Sequence, residues 1–246
     1  MFRLRTAALL LLLLFTVSCG VATQHFTGDN GATITIQGPW SQFAPGDYDE
    51  LYEDGAVDRA SISLALGRDR GETGYFTLRI QEAGAELDEL ADFLSKLEEY
   101  AATDRSQTEE RLEAAYGERV LERLEPVLAG KRISDDDYLL LLQEIYLERR
   151  LLPLLEDPKL ALEILPFEEL RISGRPVQVA HFAYKNKQGM KLRHLTACVV
   201  RGDLVYELDL WATAEQLDSW DKEARDLLAS LRLPGETVPS TTETDE

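Results

Sequence analysis

The chain of 246 residues is poor in sulfur and in histidine, with two Cys, two Met and three His. Two cysteines cannot build the disulfide framework that holds small secreted scaffolds together. The histidines, at positions 25, 181 and 194, form no contiguous metal motif of the H-E-x-x-H kind. Basic residues are scarce too: 26 Lys and Arg stand against 45 Asp and Glu, a formal charge of −19. Phosphate recognition needs clustered Lys and Arg, so nucleic acid is excluded as the main partner. The same imbalance repels anionic lipid, so any membrane attachment must come from something other than charge. An apolar run from Ala7 to Val17 falls short of the roughly 20 residues that a spanning helix needs. Nucleotide and hydrolase signatures are missing as well. Gly67 to Gly74 has no Walker spacing, no serine sits in a G-x-S-x-G context, and no solenoid period recurs. What is present is core material: 44% hydrophobic residues, with eight Phe, nine Tyr and three Trp, which excludes a wholly disordered chain.

The N-terminus reads as an export signal. Arg3 and Arg5 precede the apolar run, and Ser18-Cys19-Gly20 follows it. Thr16-Val17-Ser18-Cys19 resembles the lipobox of bacterial lipoproteins, although Thr16 stands where Leu is usual. By that resemblance residues 1–18 are removed, Cys19 carries the acyl chains, palmitate among them, and residues 19–31 are a lipidated tether. Each buried CH₂ contributes about 0.8 kcal/mol, so several acyl chains anchor the protein without a spanning helix. Gly20 after the Cys favours the periplasmic face of the outer membrane, if the source has one. With Cys19 lipidated, Cys198 is a lone thiol in an apolar strand-like run and reads as a buried small hydrophobe.

Beyond the tether the pattern is mixed. Ala32 to Ile36, Ala60 to Leu66 and Tyr75 to Ile80 alternate as strands, the last two forming a hairpin. Residues 86–102 show leucines at helical spacing, and 106–165 read as a helical block, with Ser134 an N-cap before three Asp. Pro176 to Tyr184, Lys191 to Val200 and Leu204 to Trp211 make a meander, with Arg201-Gly202-Asp203 as its second turn. One last amphipathic helix, capped by Thr213 and Gln216, runs to Leu231. Residues 234–246 read as a disordered acidic tail.

This order of elements resembles the PsbP-like family, which includes DcrB-like bacterial lipoproteins. The residues that carry the likeness are Phe76-Thr77-Leu78, Gly174-Arg175-Pro176 to Tyr184, Val199 to Tyr206, and Leu227 to Leu233. The resemblance covers 33–100 and 166–233. It implies an α+β fold over 32–233, an antiparallel β-sheet flanked by helices on both faces, with 106–165 inserted as a helical block. It also implies a mostly non-enzymatic role in assisting membrane-associated complexes, and it transfers no site residues.

Two candidate sites follow from the residues themselves, and the lipobox resemblance implies a third. A four-residue turn from Asn186 to Gly189 would pair Lys185 with Met190 and set His181 directly opposite His194, close enough to share a metal. Two histidines are half of a zinc site, and the alternative is a pair of imidazoles packed in a sheet. Leu139 to Leu142 point around most of a helix circumference. That helix is therefore either sandwiched between layers or offers Leu139 and Leu141, within 138–155, to a partner or a second copy of the chain. Cys19 is the lipidation site. The functional expectation is a non-catalytic, lipid-anchored cell-envelope protein that binds or stabilises an envelope partner and needs no cofactor. The alternative is a metal- or small-ligand-binding lipoprotein using His181 and His194.

Overall fold

The computed structural model describes residues 23–50, 59–116, 118–131, 134–155, 157–186 and 188–236. Residues 1–18, the expected signal segment, and Cys19 lie outside the described residues. Nine strands are seen in chain order: β1 Thr23–Thr27, β2 Thr33–Gln37, β3 Trp40–Gln42, β4 Ile62–Arg68, β5 Gly74–Glu82, β6 Glu163–Ile172, β7 Arg175–Lys185, β8 Lys191–Arg201 and β9 Leu204–Thr213. The helices are α1 Gly84–Thr103, α2 Arg105–Tyr116, α3 Glu118–Leu128, α4 Asp135–Leu155, α5 Ala214–Ser219 and α6 Asp221–Ala229.

Strands β3 to β9 form one antiparallel sheet in the order β3-β4-β5-β9-β8-β7-β6. Both its faces are covered, which is why β8 and β9 are buried almost continuously rather than at every second residue. On one face Leu64, Phe76, Leu78, Leu195, Leu208 and Leu210 pack against α6 and the β1–β2 ribbon, through Ile34, Ile36, Ala224, Leu227 and Leu228. On the other, Ala180, Phe182, Cys198 and Val205 pack against Tyr146, Leu147 and Leu151 of α4 and Leu87 of α1. The fold is thus α+β, an antiparallel sheet with helices on both faces and a helical block between β5 and β6.

The leucine-rich helix α4 is the middle layer of that block. Leu141, Leu142 and Ile145 turn away from the sheet and join Leu94, Leu97, Leu112, Val120 and Leu124 of α1, α2 and α3. Consecutive leucines are accommodated because both sides of the helix meet apolar surface. Its start is fixed as the sequence predicts: Ser134 Oγ accepts from Asp137 N (3.1 Å) and donates to Asp137 Oδ2 (2.6 Å).

Several boundaries differ from the sequence reading. Within the expected tether, Thr23–Thr27 is a strand paired with β2, because Phe26 finds the core edge. Strand β6 begins inside the expected helical block and pairs with β7; Pro166 and a register shift between Leu165 and Glu168 mask its alternation. The last helix is broken at Trp220 (φ −133°, ψ 28°) into α5 and α6. Residues 234–236, expected in the tail, are held by Arg201 Nη1 on Pro234 O (2.7 Å) and by Glu236 accepting from Leu233 N (3.0 Å). The remainder of the tail lies outside the described residues.

One polar residue of α4 completes the sheet. The β7–β8 ladder runs from Lys185↔Lys191 to Val179↔Ala197 and stops there. Beyond it Gln143, fully buried, takes the place of β8: its Oε1 accepts from Gln178 N (2.8 Å) and its Nε2 donates to Pro176 O (3.4 Å).

Candidate functional site

The His181–His194 pair does not form. The structure pairs Phe182 with His194 and His181 with Leu195, one residue away from the predicted register. The cause is the turn. Asn186 Oδ1 accepts from Gln188 N (3.1 Å) and Met190 N (2.9 Å), and Gly189 enters the left-handed region (φ +78°), so five residues separate Lys185 from Lys191. A one-residue slip sends neighbours to opposite faces. His181 lies half-buried on the α6 face, where burial and then Arg193 push its pKa down. Among the described residues no group of three or more His, Cys, Asp or Glu is placed to hold a metal. His25 stands on β1, 3.0 Å from Thr35 Oγ1.

His194 lies on the α4 face in a buried polar row. Its Nδ1 donates to Asp209 Oδ1 (3.1 Å), which also accepts from Thr196 Oγ1 (2.7 Å). Phe182 and Trp211 lie nearly parallel to the imidazole, with centroids at 4.8 and 5.8 Å. Burial pushes the Asp209 carboxyl up, yet His194, Thr196 and Arg79 together outweigh it and hold it below the usual range. Beside it Arg79 pairs with Glu207, whose other oxygen lies 3.4 Å from Arg150 Nη2. Arg79, His194, Thr196, Glu207 and Asp209 are buried and tie β5, β8 and β9 together, while Arg150 reaches Glu207 from the exposed side of α4.

Leu141 is 4% exposed and belongs to the inter-helix core, while Leu139 is half-buried. Leu141 therefore offers no open surface in this chain, while Leu139 keeps part of its side chain accessible. Cys198 is fully buried, with Sγ 3.8 Å from Gln143 O, and burial raises its thiol well above the ordinary value. Arg201-Gly202-Asp203 is the β8–β9 turn, its Asp203 carbonyl accepting from Ala83 N (2.9 Å).

An open concave site among the described residues is lined by none of the candidate site residues singled out in the sequence. A groove of about 980 Å³ runs between β2, Arg68 and the α5–α6 break, lined among others by Thr23, Thr35, Gln37, Asp218, Lys222 and Asp226. Its floor is fixed by Glu223 on the first turn of α6. Glu223 Oε1 accepts from Trp40 Nε1 (2.7 Å) and Arg68 Nε (3.0 Å), and Oε2 accepts from Arg68 Nη2 (3.2 Å). The Arg68 guanidinium lies 5.3 Å from the Trp220 ring centroid, and Trp220 meets Trp40 edge-on at 5.6 Å. Trp220 can lie there because position 74 is glycine: a Cβ would come within 2.5 Å of the indole. The helix break is therefore part of the site. It turns α6 so that Lys222, Glu223 and Asp226 face β2. The available sequence signal was Trp220-Asp221, an aromatic followed by an acid suited to a helix first turn, inside what reads as one amphipathic stripe.

Electrostatically the groove is acidic. Asp218, Asp221, Glu223 and Asp226 line it against Arg68 and Lys222. Each carboxylate meets a cation: Asp218 pairs with Arg193, Asp221 with Arg225, Glu223 with Arg68 and Asp226 with Lys222. A carboxylate has about four lone-pair sites, so each keeps accepting capacity toward the groove.

Comparison with protein-family models and with curated proteins gives no match. Among solved structures the chain is similar to cyanobacterial PsbP of Synechocystis sp. PCC 6803, with 8% identity and TM-score 0.46 over 87% of this chain and 93% of that one. It is also similar to a Bacteroides thetaiotaomicron protein, with 12% identity and TM-score 0.38 over 89% of this chain but 52% of that one, about half its length. A third likeness is to the Ran-binding protein Mog1p of Saccharomyces cerevisiae, with 6% identity and TM-score 0.38 over 87% and 96% of the two chains.

Proposed function

We propose that this chain is an exported, lipid-anchored protein of the DcrB-like kind that acts without catalysis. It would bind an envelope partner at the groove between β2 and the α5–α6 break. The observation that carries the binding role is that groove, where hydroxyl, amide and charged groups from β1, β2, β4, α5 and α6 converge on an open concave surface. The anchor rests on the Thr16-Val17-Ser18-Cys19 pattern, and the outer membrane on Gly20. Three residues separate Cys19 from Thr23 on the groove rim, a contour of about 14 Å, so an acylated Cys19 holds the groove close to the membrane surface.

Two measurements test this. In cells fed an alkyne fatty acid, the full chain should take up label and sediment with membranes, and Cys19→Ala should do neither. A photo-crosslinking residue at Lys222 should give a discrete envelope-protein adduct that one at exposed Glu169 does not. Equal labelling of Cys19→Ala refutes the anchor; identical adducts from both positions refute the groove.

A further inference from the structure

The edge of β2 that faces the groove is unfinished, and we infer that the groove takes an extended, Lys- or Arg-bearing segment of a partner protein as an added strand beside Thr35–Gln37. This rests on the reading of the groove as a protein-binding site.

In an antiparallel ribbon, alternate residues turn their N–H and C=O to the same side. Thr33 N donates to Arg232 O (2.9 Å) and Arg232 N donates to Thr33 O (2.8 Å), a single antiparallel bridge on the side of β2 away from β1. Thr33, Thr35 and Gln37 therefore point their backbone groups that way, and Ile34 and Ile36 point theirs at β1. Thr35 N is taken by Ser230 Oγ (3.1 Å). Then α6 leads the chain away, and Thr35 C=O, Gln37 N–H and Gln37 C=O find no partner among the described residues. Arg232 thus begins a third strand of the ribbon that the chain itself does not continue, and both Thr35 and Gln37 are exposed.

Other edges are guarded: β6 carries Pro166 and a register shift, and β3 has three residues. Beside β2 the facing wall is α6. An added strand makes main-chain bonds to β2 and places alternate side chains toward Asp218, Asp221, Glu223 and Asp226. The lining carries four carboxylates and two cations, with Arg193 and Arg225 pairing Asp218 and Asp221 from outside it, and the remaining lone pairs of those carboxylates favour a cationic segment over an acidic one.

The test uses a capped alternating Lys-Val hexapeptide and two relatives: one N-methylated at alternate residues, which keeps charge and shape but loses N–H donors, and one with Glu for Lys. The parent should bind the full chain with Kd of about 1 mM or tighter, shifting the amide resonances of Thr35 and Gln37, and both relatives should bind at least tenfold more weakly. Gln37→Pro should weaken the parent at least tenfold, because the lost N–H faces the groove and edge strands tolerate Pro. No binding of the parent, or equal binding of the N-methylated peptide, overturns strand addition. If the Lys222 photo-adduct still forms in that case, the groove remains a binding site and only the mode is wrong. Equal binding of the Glu peptide overturns the charge selection.

Discussion

Replacing Gln143 tests the account of the sheet most sharply, because one side-chain amide there stands in for a missing strand. Gln143 is fully buried, with an accessible surface of 0%. Gln143→Ala strips partners from two main-chain groups, Gln178 N–H and Pro176 C=O. An unpaired buried polar group costs about 1–3 kcal/mol, so the pair should cost about 2–5 kcal/mol. For a domain of this size that corresponds to a fall in Tm of about 5–15 °C. Gln143→Met keeps the volume and loses the polarity, so it should fall about as far and so separate bonding from cavity formation. Thermal unfolding followed by circular dichroism gives the first number. Native-state hydrogen exchange gives the second reading: the Gln178 amide should exchange faster in both variants, while amides in the paired part of β7 stay protected. A Gln143→Met protein melting within about 1 °C of the parent, with Gln178 still protected, would show that β7 does not depend on this amide.

Further outcomes follow from the same coordinates. Leu141→Glu places a carboxylate in the inter-helix core and should cost about 3–5 kcal/mol in urea unfolding; half-buried Leu139→Glu should cost less than half of that, with sedimentation unchanged for both. Asp209 is held below its unfolded pKa, so its contribution is present above about pH 4 and lost as pH falls through the folded value. Asp209→Asn should therefore lower stability at pH 7 by about 1–3 kcal/mol and flatten the acid limb of a stability-against-pH curve; an unchanged acid limb refutes that assignment.

The strands and the helical block were legible because each is written in a local period. Tyr75 to Ile80, Lys191 to Val200 and Leu204 to Trp211 alternate or run apolar, and the leucines of residues 86–102 recur at helical spacing. Ser134 before Asp135 to Asp137 marked a helix start that the structure keeps. Legibility failed where a residue's role is set by something distant. Strand β6 carries Pro166 and polar residues, so only pairing with β7 makes it a strand. Trp220 fits an amphipathic stripe, and only Gly74, far away in sequence, makes room for it to end a helix.

From the sequence alone came the acidic charge balance, the scarcity of thiols and histidines, a mixture of strands and helices, and a helical block between two sheet-forming stretches. Those are properties of composition and of short-range period, which survive whatever the chain packs against. Tertiary structure decided the rest. One extra residue in the Asn186–Met190 turn separated His181 from His194. The two layers around α4 decided that Leu141 is core. The departure of α6 from the path begun at Arg232 left the edge of β2 open. Each depends on which surfaces meet across the fold, and hydrogen-bond direction and burial are set only when they meet.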